Sequence, residues 1–406
     1  MSSKLRIIVT GLIAQHPRLG GVAWDYVQYP AGFARLGHDV YYLEDSGEWP
    51  YVADGSASGV SWIAHDPTPN VRHLASVMKQ FGLGDRWLYR FPIRPRWYGL
   101  SHRKRRQVLE SADLLVNVSG TLKRPSDYRQ IPRLVYVDSD PAFTQVKLAL
   151  PRGQKKFQRR LAAHDAFFSF GERIGETALA NGIDWWPTRQ PILLSEWRQG
   201  MPARDVFTTV MSWTSYRPLR HGGRSFGQKD VEFRRFVDLP RAVRPARLEV
   251  ALGGTRHVRW EGAAGGGRAH DDRTPREALE AAGWRVVDAA TVSGDLHAYR
   301  RYLESSKAEW SVAKNGYVTA DTGWFSCRSA CYLAAGRPVV VQDTHFGDVL
   351  PIGEGICAFR TLDEAADAVR EVAGGYARHA RAAAEIAREY FDSDRVLARL
   401  VEAAMR

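Results

Sequence analysis

The sequence predicts an α/β protein of two doubly wound domains, each a parallel sheet with helices on both faces, facing a central cleft. Three observations lead there. The 406 residues, 44% of them hydrophobic, exceed one ordinary core and suit two domains of about 150 to 200 residues each. Short apolar runs alternate with helical patterns in both halves. The stretch 184–205, with three prolines and no sustained period, separates them. The expected domains are therefore 1–195 and 196–390, with 391–406 as a closing helix. Ligand sites favour the cleft that such a hinge creates.

The first half opens with an apolar β-branched run over 5–10 that ends at Gly11, the pattern of a buried parallel strand. The loop after it holds His16, Gly20 and Gly21. Residues 24–36 carry apolar side chains at helical spacing, and Pro30 predicts a kink or an early end. Gly37-His38-Asp39 then turns the chain into a strand over 40–43. This β-loop-α-β order is most simply closed as a parallel sheet with right-handed crossovers. Further strands are expected at 113–118, 134–137 and 166–170. The Trp-, Pro- and Gly-rich section 45–98 yields only a helix near 73–81.

The second half repeats the alternation. A strand over 206–213 leads into a Gly- and Arg-rich loop over 217–227 and a helical stretch over 229–237. Strands are expected at 248–252, 284–287 and 310–313, with 262–273 as a flexible connection. Residues 307–343 then give a strand, a polar turn, a small-residue helix, the turn Gly336-Arg337-Pro338 and a second apolar strand. That order presents a helix N-terminus to an anionic ligand. Two helical patterns close the chain, 375–390 and 393–404. The second has Ser393 as its N-cap candidate and Val396, Leu397, Leu400 and Val401 on one face.

The net charge is +12, from 57 Lys and Arg against 45 Asp and Glu. Much of it is local, in Arg103-Lys104-Arg105-Arg106 and in Lys155-Lys156 with Arg159-Arg160. Such patches attract phosphorylated small molecules, anionic membrane surfaces or nucleic acid. No zinc-finger spacing, RNP-like motif or helix-turn-helix supports nucleic acid, which stays the lesser reading. No run approaches the ~20 apolar residues of a membrane span, and the N-terminus enters a strand without a signal-peptide core. A cytoplasmic protein is expected. Cys327, Cys331 and Cys357 lack zinc or redox spacing and read as buried free thiols.

The two-domain outline, the Gly-containing loop after the first strand, and the segment GWFSCRSACYLAAGRPVVVQD resemble glycosyltransferases of the GT-B architecture, with two Rossmann-like domains. The resemblance is architectural along the chain and reaches motif level over 307–355. It implies an acceptor domain first, a nucleotide-sugar domain second, and a last helix packing back on the first. It also implies sugar transfer from a nucleoside diphosphate, with no bound metal and no cofactor beyond that substrate. Many members place a glutamate about five residues before the Gly of the Gly-X-Pro turn, where it binds ribose. Here that position is Cys331, so ribose recognition is expected to shift to Ser329, Asp321 or backbone groups.

A departing sugar diphosphate gains negative charge as the glycosidic bond breaks, so fixed donors and cations are needed where that charge appears. Ser326, Arg328 and Ser329 open the candidate donor helix, and Arg328 suits bidentate phosphate binding. Lys314 and Asn315 follow a strand end and are placed to close over the diphosphate. Ser212, Trp213 and Arg217 lie on the loop after the second domain's first strand, with Trp213 a stacking candidate. Lys229 is a further phosphate ligand, and Gln342 and Asp343 are placed to bind sugar hydroxyls. Gly20 and Gly21 permit close approach of backbone to phosphate or sugar.

His16 is the candidate base, at a strand's carboxyl end and with an ordinary pKa suited to a neutral acceptor hydroxyl. Asp140 is a second candidate for that role. Asp138-Ser139-Asp140 also matches a metal-bridging pair, but it lies away from the donor segment. His164-Asp165, His257 and His270-Asp271-Asp272 show no metal-ligand spacing. Expected partners are a nucleotide-sugar donor and a small-molecule, glycan or lipid-linked acceptor, with peripheral contact to an anionic membrane as a further candidate. Trp49, Tyr51, Trp62, Trp87, Tyr89, Trp97 and Tyr98 belong to the core or to an acceptor wall. Alternatives are a nucleotide-sugar epimerase and a non-catalytic nucleotide-sugar or nucleic-acid binding protein.

Overall fold

The computed structural model describes residues 4–53, 61–150, 154–177, 179, 181–255, 258, 260 and 273–406. His257, His270, Asp271, Asp272 and nearly all of the 262–273 connection lie outside the described residues. The described residues divide into two compact units, one holding residues 4–53 and Ser61–Leu194 with Tyr390–Arg406, the other Ser195–Glu389.

The strands of the first unit are β1 (Arg6–Thr10), β2 (Asp39–Glu44), β3 (Tyr51–Ala53), β4 (Ser61–Ile63), β5 (Trp87–Phe91), β6 (Arg96–Gly99), β7 (Leu114–Val118), β8 (Arg133–Asp138), β9 (Ala166–Ser169) and β10 (Trp185–Pro187). Eight of them form one sheet in the order β10-β9-β8-β7-β1-β2-β5-β6. Every pairing in it is parallel except β5 with β6 at the edge. Ile7, Ile8 and Val9 are fully buried, as a strand covered on both faces requires. Ile8 stands opposite Tyr41 of β2 on one side and Leu115 of β7 on the other. The strand order therefore reverses between β1 and β7.

The helix Gly20–Arg35 joins β1 to β2 and continues through Pro30, so the early end expected there does not occur. Pro30 removes one hydrogen bond, but Tyr29 and Phe33 beside it are fully buried, and that packing outweighs the loss. Gly32 lets the closing helix Ser393–Ala404 approach: a Cβ at Gly32 would lie 2.5 Å from Leu397 Cδ1. The cap of that closing helix is Asp392, whose carboxylate accepts from Asp394 N at 3.0 Å, and not Ser393. Ile192 ties this tail down, donating to Phe391 O at 2.7 Å and accepting from Ser393 N at 2.9 Å. Before it, the 375–390 pattern separates into a helix, Tyr376–Ile386, and a π turn, Ala387–Phe391. The section 45–98 holds a helix, Thr68–Gln80, and the short strands β3 to β6.

In the second unit the strands are β11 (Phe207–Ser212), β12 (Leu219–His221), β13 (Arg224–Phe226), β14 (Leu248–Gly253), β15 (Arg285–Asp288), β16 (Ala308–Ser311), β17 (Val339–Gln342) and β18 (Ile356–Phe359). Six form a parallel sheet in the order β15-β14-β11-β16-β17-β18, while β12 and β13 pair as a hairpin. The strand expected at 310–313 starts earlier because Ala308 pairs with Phe207 of β11. An aromatic core of Trp213, Phe233, Phe236, Trp284, Trp310 and Phe359 fills one face, with Trp310 and Phe359 stacked at 5.5 Å. Among the described residues, no helix is long and apolar enough to cross a membrane. The three cysteines are free thiols.

Candidate functional site

The second unit's strand order turns back between β11 and β16. Loops leaving their carboxyl ends therefore diverge and open a crevice, the usual ligand position in an open parallel sheet. Ser212 ends β11 and is exposed. Gly254, at φ +66°, brings the end of β14 up to this loop: a Cβ there would lie 2.8 Å from Thr214 O. Lys314 and Asn315 leave β16, and the β12–β13 hairpin returns the chain to Lys229, first residue of the helix Lys229–Phe233.

Arg328 is the centre of this crevice's electrostatics, though not as an open phosphate ligand. Its Nε donates to Glu309 Oε1 at 2.6 Å, Nη1 to Val210 O at 2.8 Å and Nη2 to Ser311 Oγ at 2.7 Å. The guanidinium is thus turned into the seam between β11 and β16, with Nε, Nη1 and Nη2 all engaged there rather than set out as the bidentate phosphate fork expected. Burial and the charges of Arg328 and Lys314 push the Lys229 pKa well below the lysine range, against the pull of Glu309. Among the described residues the Lys229 ammonium has no hydrogen-bond or ion-pair partner. Lys314 lies over the Tyr216 and Tyr317 rings at 5.7 and 5.4 Å. The charges of Arg328 and Lys314 both oppose protonation of Lys229, and a bound anion would favour it.

Asn315 and Gln342 are held by a buried acid that sequence reasoning missed. Glu232 accepts from Asn315 Nδ2 at 2.8 Å, Gln342 Nε2 at 2.6 Å and Arg235 Nη1 at 2.6 Å. Asn315 Oδ1 also accepts from Gly227 N at 2.9 Å, fixing the hairpin to the end of β16. Gln342 is 3% exposed and uses Oε1 to accept from Ala313 N, so it does not reach outward for a sugar. Asp343 is likewise engaged, by Arg360 at 2.6 and 2.8 Å and by His345 N at 2.8 Å. Both corrections have one cause: polar side chains at a strand end first satisfy buried neighbours.

The helix Cys327–Ala334 begins at Ser326 with no side-chain cap, so its first N–H groups face the crevice end of the segment. Behind it, Thr322 Oγ1, Trp324 Nε1 and Ser329 Oγ are buried without hydrogen-bond partners among the described residues. Native proteins leave few such atoms, and three on one short segment mark a place where water or a ligand belongs. Ser326 and Ser329 line a small cavity with Ser311, Trp324, Phe325 and Gln342. Trp324 stacks on Tyr317 at 4.1 Å, and Thr344 Oγ1 holds its carbonyl at 2.6 Å. Cys331, at the position of the expected ribose glutamate, is 1% exposed in the core. Asp321 pairs with His345 Nδ1 at 2.8 Å. In the Gly336-Arg337-Pro338 turn, Gly336 has φ +69° and Arg337 donates to Glu304 O, Gly200 O and Tyr376 OH.

Trp213 is not a stacking platform. It is fully buried against Phe233 and Trp260 at 5.7 and 5.6 Å, because the last position of the apolar strand pattern points into the core. Arg217 lies exposed on the loop before β12.

In the first unit, His16 sits on the loop after β1, stacked on Tyr51 at 5.4 Å. Burial lowers its pKa to about 4, so the expected ordinary histidine is corrected to a neutral, weakly basic one. A residue not singled out in the sequence shapes this loop: Glu44, fully buried, accepts from Ala14 N at 2.7 Å, Gln15 N at 2.6 Å and Tyr42 OH at 2.9 Å. Burial pushes its carboxyl up to about 8 against the pull of those donors. Gly20 and Gly21 open the helix Gly20–Arg35, which has no side-chain cap. Asp140 is half-buried, with its N–H donating to Asp138 Oδ1 at 3.1 Å. Asp138 accepts from Thr144 at 2.7 Å and Gln145 at 3.2 Å, and burial raises it to about 6. Among the described residues, no group of three or more His, Cys, Asp or Glu side chains is arranged to hold a metal.

No family model matches this sequence, and no curated protein matches it either. Solved structures do match along the whole chain. HepE of Anabaena, in complex with UDP-glucose, superposes with TM-score 0.57 at 11% identity, over 98% of this chain and 99% of that one. An alpha-glucosyltransferase in complex with UDP and a 13-mer DNA gives 0.56 at 11% identity, over 100% of both. AviGT4, a glycosyltransferase of avilamycin A biosynthesis, gives 0.50 at 16% identity, over 99% and 97%. Identities this low speak for architecture alone, and the chain has the fold of GT-B glycosyltransferases.

Proposed function

We propose that the protein transfers a glycosyl group from a nucleoside-diphosphate sugar to a small-molecule, glycan or lipid-linked acceptor. The observation that carries this is the cluster of Lys229, Lys314 and Arg328 at the β11–β16 turn-back, where the charges of Arg328 and Lys314 act on a buried Lys229 that has no hydrogen-bond or ion-pair partner among the described residues. A diphosphate matches that cluster and gains charge as the glycosidic bond breaks, so the cluster favours the transition state over the bound substrate. Lys229 and Lys314 take the phosphates, and the uncapped start of Cys327–Ala334 adds backbone N–H donors. Arg328 acts from inside the sheet, as a fixed positive charge beneath them. Ser212, Ser326 and Arg217 are the outer ligands of the donor, and Ser329 with backbone groups replaces the ribose-binding carboxylate. Two of the named neighbours, with UDP or UDP-glucose in their complexes, favour such a donor.

On the acceptor side, His16 takes the hydroxyl proton as an unprotonated imidazole, with Asp140 as the second candidate. The charge of the leaving group is met by side chains and a helix terminus, so the proposed reaction involves no metal or cofactor. The test is incubation with a panel of nucleoside-diphosphate sugars, followed by release of free nucleoside diphosphate. Release that requires an added acceptor supports transfer. Release without acceptor dependence, or none with any donor, removes the reading.

A further inference from the structure

The charge runs left unused by the donor site converge on one surface of the first unit. Helix His102–Glu110 carries Arg103, Lys104 and Arg106, and helix Gln154–Leu161 carries Lys155, Arg159 and Arg160. Val108 of the first helix packs in one cluster with Leu134, while Leu161 of the second packs in another with Tyr136. Leu134 and Tyr136 are two residues apart on β8 and so point to the same side of the sheet. Both basic helices therefore cover one face.

Arg103, Arg106, Lys155 and Arg159 are exposed there. Among the described residues only Arg106 of the six named cations has an ion-pair partner, Glu110 at 2.7 Å. Flanking acids are already neutralised: Asp127 pairs with Arg124 at 3.0 Å and Asp165 with Arg129 at 2.8 Å.

We infer that this face docks the protein on an anionic phospholipid bilayer. Two helix backs over one sheet make a broad, shallow cationic layer, which matches a plane of lipid phosphates. Duplex DNA asks instead for an element that enters a groove, and single strands ask for open aromatic platforms. Trp97, packed beside the first helix, is covered by the Arg105 guanidinium at 4.6 Å. The inference does not depend on the donor reading, since no residue is shared between the two.

Co-sedimentation of the full chain with phosphatidylglycerol-rich vesicles tests it, with pure phosphatidylcholine vesicles and high salt as controls. Binding is expected to the anionic vesicles alone and to be released by salt. Replacing Arg103, Lys104, Lys155 and Arg159 together by Gln is expected to weaken partitioning by about fivefold per cation, on the order of several hundredfold in all. The melting temperature and UDP binding of that variant stay as in the wild type. Equal binding to neutral vesicles, no binding to anionic ones, or unchanged partitioning of the variant overturns the inference. So does a duplex DNA fragment that binds more tightly through the same four residues.

Discussion

Arg328 and Lys229 share one electrostatic field but answer to different demands. Arg328 neutralises Glu309, which is fully buried, so Arg328→Ala strands a carboxylate in the sheet. Loss of one partner of such a pair costs about 3 to 5 kcal/mol, and urea denaturation should show it whether or not donor is present. Lys229 has the opposite character, since its charge costs stability in the folded protein. Its folded pKa lies below the unfolded one, so between the two values only the unfolded chain is protonated. Stability therefore rises with pH across that window, and below the folded value the penalty is complete. A bound diphosphate lifts the pKa again, so donor binding is expected to take up a proton within the window. Calorimetry in buffers of different ionisation enthalpy checks this; heats independent of buffer would contradict it. The residue types of the site were readable in the sequence, but their orientation was not. An arginine in a first helical turn looks exposed until the acid beneath it, Glu309 within the buried strand Ala308–Ser311, is known to be its partner.

At the scale of elements, apolar runs located most of the parallel strands, because strands buried on both faces are written as continuous hydrophobic segments, but they missed β5, β10 and β18. Short strands such as β3 and β4 stayed hidden among aromatics that serve strand, turn and core alike. Pro30 misled for a definable reason: the helix Gly20–Arg35 is held by tertiary packing rather than by its own propensity. Its contact with Ser393–Ala404 depends on the missing side chain at Gly32. Gly32→Val should force Leu397, which is fully buried, out of its rotamer and cost about 1 to 3 kcal/mol in denaturant unfolding. An unchanged midpoint would mean the two helices have slack that the structure does not show.

For the molecule as a whole, two turn-back points organise the chain, one between β1 and β7 and one between β11 and β16. Each gathers loops that are distant in sequence. The sequence showed the alternation that builds the sheets but not the strand order, and strand order decides which loops meet. Lys229, Lys314 and Arg328 come from three separate segments for this reason. The central claim is that these segments form a nucleoside-diphosphate site, and titration of UDP into the wild type and Lys229→Gln tests it most directly. Measurable binding is predicted for the wild type, weakened about tenfold or more in Lys229→Gln, a loss of about 1.4 kcal/mol, with folding intact. Equal affinity in the two proteins, or binding of no nucleoside diphosphate by the wild type, would contradict it.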